Sequence, residues 1–458
     1  MRAIDAEAQA EVGVDVLVTR AGAALARAVR RRLGRAYGGR VVIVAGPGHN
    51  GDDGRVAATW LRRSGLRVAV VDAAGRDGPP PAVPACDLVV DAAYGTGFRG
   101  AYRAPEVPAG AQVMAVDIPS GVHGDSGEAA EGAVRANATV TFAALKPGLL
   151  VGAGPERAGR VEVVDIGLDV SRARSHVVED ADMALLPGRP REAHKWQSAL
   201  YVAAGSPGMM GSAWLCSRAA MRAGAGMVRL GVPGAGPSDL PVGEVVARGL
   251  PPEGWEDAVL EELGRCRALA VGPGLGPSEA SVAAVRRLVC RAPVPVLLDA
   301  DGLNVLGPAE NVAGLVAKRE AAGCRAPMVL TPHDGEYARL MGVAPGPDRF
   351  EAARALAHRS AATVVLKGST TVVASPDGRT LAAVAGSPRL ATAGTGDVLS
   401  GIVGAFLARG LDGLVAGALG AHAHGRAAAL GPARGLVAGD LVALLPRYLS
   451  DVAAASPT

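Results

Sequence analysis

The chain has 458 residues, 49% hydrophobic and 20% charged, enough for two or more domains each with its own core. Its formal net charge is only +3 with the signs interspersed, and aromatics make up 3%, which argues against a basic, base-stacking nucleic-acid surface. The five cysteines (Cys86, Cys216, Cys266, Cys290, Cys324) are scattered with no C-x-x-C pair, so neither a disulfide framework nor a zinc site is expected and a reducing cytoplasm is the natural setting.

The N-terminus carries Asp5, Glu7 and Glu11 and lacks an apolar signal core, and nowhere do about 18 apolar residues run without charge, so no membrane segment is expected. Residues 4–33 read instead as one helix, with Val14, Leu17, Val18, Ala21, Leu25 and Val29 at helical spacing and Arg30-Arg31-Arg32 on a solvated face. Arg40 to Ala45 is a buried strand running into Gly46-Pro47-Gly48-His49-Asn50-Gly51-Asp52-Asp53-Gly54, with a helix following through Leu61. The glycine spacing is neither G-x-G-x-x-G nor a Walker loop, so phosphate cradle and plain turn both remain open. Further strands are read at 68–71, 88–91 and 113–117. Asn50, Asp91 and Asp117 each lie at or just after a strand end, and in an open parallel sheet such ends share the ligand-binding edge. A last strand is read at 161–167. Residues 169–190 then lose periodicity and gain charge and proline, which places a domain boundary there.

The second half repeats the alternation. Strands at 199–204, 227–232, 268–271, 294–298, 328–331 and 363–366 deliver glycines and polar groups to their ends: Gly272 to Gly276, Asp299 and Asp301, His333 and Glu336, Lys367 and Gly368. Taken singly, His333 reads as a turn histidine, Lys367 as a solvated cation and the paired Asp residues as caps. Ala391 to Gly401 is a glycine-rich loop opening a helix at or just after Asp397. Such a start presents unpaired N–H groups to a phosphate oxygen. Its carboxylate is either an N-cap or a base taking a proton from an attacking hydroxyl.

Ala393-Gly394-Thr395-Gly396-Asp397 resembles the anion-hole and base signature of the ribokinase-like fold, and its flanks resemble the nucleotide-dependent NAD(P)H-hydrate dehydratases. Gly272-Pro273-Gly274-Leu275-Gly276, the paired Asp, Thr331-Pro332-His333-x-Gly335-Glu336 and Lys367-Gly368 fall in that family's order over about 185–450. Gly46–Gly54, Asp91–Gly97, Val116–Gly121 and Leu145–Gly148 resemble the NAD(P)H-hydrate epimerases over about 1–170. The resemblance implies a Rossmann-like three-layer α/β/α domain at 1–172, a linker at 173–190 and a ribokinase-like α/β/α domain at 191–458.

It further implies two activities: epimerisation of the R and S hydrates of NADH and NADPH, and ADP-dependent dehydration of the S form with release of AMP and phosphate, ATP being the alternative donor. In the first domain, Asn50, Asp91 and Ser120 would hold potassium. His49, Asn50, Gly51, Asp52 and Asp53, with Gly95, Thr96, Gly97, Phe98, Arg99, Gly100 and Ala101, would line the hydrate pocket. Asp117 would be the acid/base, and Lys146 would complete the pocket. In the second, Lys367, Gly368, Ser369, Thr370, Thr371 and Gly396 would hold the nucleotide. Ser212, Gly276, His333 and Asp397 would face the hydrate, Asp397 would be the base, and Mg2+ would bind at Asp299 or Glu336, directly or through water. His49, Asp52, Thr19-Arg20, Trp196 and Ser212 depart from the family's usual residues. The partners implied are small molecules, not nucleic acid or membrane, and self-association through the second half is expected. The rival reading is a hydroxyethylthiazole- or hydroxymethylpyrimidine-type kinase fused to a non-catalytic nucleotide-binding module.

Overall fold

A computed structural model describes residues 2–34, 37–73, 80–240 and 243–455. The chain divides into two compact units, 1–173 and 174–458.

The first unit is a six-stranded sheet, β2-β1-β3-β4-β5-β6, parallel throughout. Its strands are β1 Arg40–Ala45, β2 Arg67–Asp72, β3 Leu88–Ala92, β4 Gln112–Val116, β5 Ala138–Phe142 and β6 Arg160–Val164. One face packs on the helices Val14–Leu33 and His49–Arg63 through Leu25, Val29, Ile43, Ala57, Leu61 and Val90. The other is covered by Phe98, Tyr102, Val134 and Ala136 against Val42, Val44 and Val89. The single helix expected over 4–33 is two, Arg2–Val12 and Val14–Leu33, because Gly13 between them takes φ +85°. β5 was not expected. Its alternating threonines are buried, and Thr139 donates to the Ala158 carbonyl at 2.7 Å, so its polar pattern conceals a core strand.

The second unit is a ten-stranded sheet, β10-β9-β8-β11-β12-β13-β14-β15-β16-β7. The strands are β7 Ser175–Val177, β8 Ala199–Ala203, β9 Met227–Pro233, β10 Val246–Leu250, β11 Ala268–Val271, β12 Val296–Leu298, β13 Met328–Leu330, β14 Thr363–Leu366, β15 Thr371–Ala374 and β16 Thr380–Ala383. Only β15 runs antiparallel to its two neighbours. The segment expected as a linker, 173–190, is instead folded into this unit. β7 pairs with β16, and Asp180 accepts hydrogen bonds from His422, Arg426 and Tyr448. On one face the helix Thr395–Ala408 crosses the sheet between the helices Met210–Arg222 and Gly413–Ala429. The approach needs glycine, since a Cβ at Gly401 would lie 2.1 Å from the Cys216 carbonyl oxygen. This packing holds the N-terminus of that helix, with Asp397, over the carboxyl ends of β11 and β12.

Candidate functional site

The carboxyl ends of the first sheet open into a cavity of about 440 Å³. His49, Asn50, Asp53, Gly95, Thr96, Gly97, Phe98, Asp117 and Lys146 are on its walls as expected, joined by Asp5, Gln9, Leu17 and Leu168, which sequence reading missed. Gly51, Asp52, Arg99, Gly100 and Ala101 are not on the walls. Gly51 presses on the Gly46 carbonyl, where a Cβ would lie 1.9 Å from the oxygen, and Asp52 turns to Arg55 at 3.4 Å. Arg99 donates to its neighbour's carbonyl at 2.7 Å, and Gly100 and Ala101 are exposed.

Asp117 follows β4 with φ +67°, a conformation few non-glycine residues adopt and one that recurs at functional sites. Its carboxylate pairs with the Lys146 ammonium at 2.7 Å and accepts from the Thr96 amide at 3.3 Å and the Thr141 hydroxyl at 3.3 Å. Lys146 is buried and also donates to Thr141 Oγ1 and the Phe142 carbonyl. Asp53 has no such cation: burial, then the charges of Asp117 and Asp52, push it up to about 8. Burial raises Asp5 too, against the pull of Lys146. Behind these, Asp91 accepts from the Ser120 amide at 2.8 Å and its hydroxyl at 2.7 Å, and burial still pushes Asp91 up to about 6. Asn50 approaches Gly95 beside Asp117, and its amide nitrogen is buried without a partner.

In the second unit the helix starts at Thr395, two residues earlier than expected, so Asp397 stands in its first turn. Gly394 is the N-cap at φ +86°, a left-handed conformation that suits glycine. Thr395 folds its hydroxyl back to the Leu390 and Thr392 carbonyls, fixing the loop. Ser212 hydrogen-bonds Asp397, yet burial, helped by Asp299 and Asp301, pushes that carboxyl up to about 6. The Lys367 ammonium lies 2.9 Å from Asp299, 3.5 Å from Glu336 and 3.8 Å from where a Cβ would stand on Gly396. Burial opposes the charge on both partners. Their attraction wins, holding Asp299 below the usual carboxylate range and Lys367 above its own. Ser400, one turn beyond Gly396, donates to Asp299 at 2.6 Å; that i, i+4 spacing was the legible signal for it.

The Gly276 amide donates to Asp301 at 2.9 Å, and Gly274 packs against Ser212. Ala300, between the two aspartates, takes φ 49°. His333 is exposed and caps the helix Asp334–Met341, accepting the Gly335 and Glu336 amides on Nδ1, while Glu336 accepts the His333 amide at 2.8 Å. Lys367–Thr371 follows β14. Arg349, unforeseen, ties the Lys367 carbonyl at 2.7 Å, and Gly386 lies against Ser369, where a Cβ would be 2.2 Å from the carbonyl oxygen. Lys367, Gly396, Asp299, Asp397 and Ser212 therefore converge. The edge combines anion-binding groups with a carboxylate able to take a proton near neutrality.

Residues 200–450 match the family model described as NAD(P)H-hydrate dehydratase, and residues 14–83 and 72–148 match that of the YjeF-related protein N-terminus. The bifunctional NAD(P)H-hydrate repair enzyme Nnr of Moorella thermoacetica is 35% identical, over 95% of this chain and 92% of its own length. That of Mycobacterium tuberculosis is 40% identical over 90% and 88%. The crystal structure of a ribokinase-like superfamily protein from Enterococcus faecalis superposes with a TM-score of 0.50 at 18% identity, covering 62% of this chain and 98% of its own, a likeness of fold.

Proposed function

The chain belongs to the bifunctional NAD(P)H-hydrate repair enzymes, and from that membership we propose how its two units divide the work. The first interconverts the R and S hydrates of NADH and NADPH. The second dehydrates the S form, with ADP as donor, releasing AMP and phosphate. The observation that carries the reading is the second unit's convergence of Asp397, Ser212, Gly396 and Lys367 at one helix start.

Asp397 takes the proton of the hydrate hydroxyl as that oxygen attacks the terminal phosphoryl of the nucleotide. The new P–O bond forms as AMP leaves. The ring C–O bond then breaks with phosphate departing, and loss of a proton from the adjacent carbon restores the double bond. Hydroxide is a poor leaving group and a phosphate ester a good one, so phosphorylation is the useful step. The helix N-terminus and Lys367 stabilise the growing negative charge. Lys367 to Thr371 and Gly396 cradle the nucleotide; Ser212, Gly276 and His333 face the hydrate. Asp299 and Glu336 are already committed to Lys367, so they do not make a direct Mg2+ site. Mg2+ would sit on the nucleotide phosphates and neutralise their charge.

In the first unit Asp117, oriented by Lys146 and the Thr96 amide, exchanges the proton that lets the hydrated carbon lose its configuration. Potassium fits Asp91, Ser120 and Asn50. The donors are oxygens, and the buried Asp91 carboxyl has no cation of its own. Bound there, the ion would neutralise that charge and steady the loops beside the substrate.

The test is a mixture of R and S hydrates with ADP and magnesium. Recovery of all the reduced nicotinamide, with equivalent AMP and free phosphate, is expected. A stable phosphorylated product would favour the vitamin-precursor kinase instead, and conversion stopping at the S share would remove the epimerase.

A further inference from the structure

The segment Ala193-His194-Lys195 takes no part in either site. It lies at the amino edge of the second sheet, where Ser198 precedes β8 and Gly226 precedes β9, opposite the edge that carries Asp397. There Arg189, His194, Lys195 and Arg409 line a recess of about 290 Å³ with Gln197 and Ser198. No carboxylate lines it, and among the described residues none pairs with these four side chains. Elsewhere in the unit Arg248, Arg287, Arg291 and Arg349 have acidic partners.

Two of the cations are fixed in place. Arg189 donates through Nη2 to the Gly224 and Ala225 carbonyls at 2.9 and 3.2 Å, and Arg409 through Nη2 to the Pro187 carbonyl. A guanidinium carries five N–H donors, so each keeps others for a ligand. The two charges are close enough that Arg409, already lowered by burial, is lowered further by Arg189. Ordinary roles exist: Arg409 opposes the dipole at the end of the helix Thr395–Ala408, and Arg189 ties a turn. Those roles do not require His194 and Lys195 on the same walls, nor the exclusion of every acid from them.

We propose that this recess binds a phosphate group, carried by inorganic phosphate or by a nucleotide, at a site separate from the reaction centre. Fork-shaped guanidiniums suit phosphate oxygens, and the volume lies near the lower limit for ligand sites, too small for a whole dinucleotide. The helix of 14 residues ending beside Arg409 begins at the catalytic loop, which sets the two sites roughly 20 Å apart.

The test is equilibrium dialysis of the full chain without hydrate, counting labelled ADP and, at saturating ADP, labelled pyrophosphate. The comparison protein is Arg189→Gln with Lys195→Gln, both exposed positions. If free phosphate is the ligand, wild type retains one pyrophosphate that the double variant binds at least tenfold more weakly. If a nucleotide is the ligand, wild type binds one ADP more than the double variant. Lys195→Arg is expected to bind as wild type does, and Lys195→Gln alone to weaken binding at least threefold. Equal ADP counts with no pyrophosphate on the wild type, or binding indifferent to both variants, would overturn the proposal.

Discussion

The two sites differ in which buried carboxylates meet a cation. In the first unit the cavity gathers Asp5, Asp53 and Asp117; Lys146 pairs directly with Asp117, and burial raises Asp53 and Asp5. In the second, Lys367 serves two acids, Asp299 and Glu336, and Asp299 stays ionised despite complete burial. Desolvation dominates where no cation is met directly, as at Asp53 and Asp397, and pairing dominates where one is, as at Asp299. An epimerase needs groups that give and take protons, whereas phosphoryl transfer needs fixed charge and a single base. The contrast between the units follows that division.

The largest effects should separate the units. Asp397→Asn removes the base and should lower dehydration about 10²–10⁴-fold while the R and S forms still interconvert, read by chromatography of the hydrates. Asp117→Asn should do the reverse. Epimerisation should fall by about 10²-fold or more, so that a mixed sample halts near its S fraction unless spontaneous epimerisation is given time. If either substitution silences both reactions, the units are not independent in chemistry.

How far the sequence could carry this contrast differs between sites. Strands such as β1, β8 and β14 are uninterrupted apolar runs, so their ends, and with them Asn50 and Lys367, were legible. Asp397 was legible because glycines and an acid precede an apolar helix. β15 and β16 were not foreseen; they form an antiparallel hairpin of short strands. β7, three residues long, was absorbed into the supposed linker because its pairing partner lies some two hundred positions away. Asp53 was placed among the lining residues, but its altered acidity arises from packing and from Asp117, which no local pattern records. Asp5 was read only as evidence against a signal peptide, because its role in the cavity depends on a long-range contact.

A pH profile sharpens the comparison next. A general base must be ionised, and Asp397 is pushed up to about 6. Dehydration at saturating substrates should therefore fall about tenfold per pH unit below about 6. Stability should show opposite signs at Asp53 and Asp299. Asp53 is raised in the fold, so its contribution is full below about 4 and is lost as pH climbs towards about 8. Asp53→Asn should thus stabilise the first unit by about 2–4 kcal/mol near neutrality, measured by urea unfolding across pH. Asp299 is lowered, so its contribution is present above the ordinary carboxylate range and is lost in acid. Wild type unfolding with the same pH dependence as Asp53→Asn between about 4 and 8 would contradict this account.

The smallest effect concerns Ser212, which stands where the resembled family usually has alanine. Its hydrogen bond to Asp397 favours the ionised carboxylate and partly offsets burial. Ser212→Ala should remove that support, which for one such bond is worth about 1 kcal/mol, or roughly 0.7 of a pH unit. The acid limb of the dehydration profile should then move upward by about that amount, with the plateau rate above about pH 8 nearly unchanged, because there the base is ionised with or without the serine. A lowered plateau with an unmoved limb would mean that Ser212 acts on the hydrate and not on the aspartate. A limb that moves while the plateau stays would identify the serine as the device that keeps a buried base usable at neutral pH.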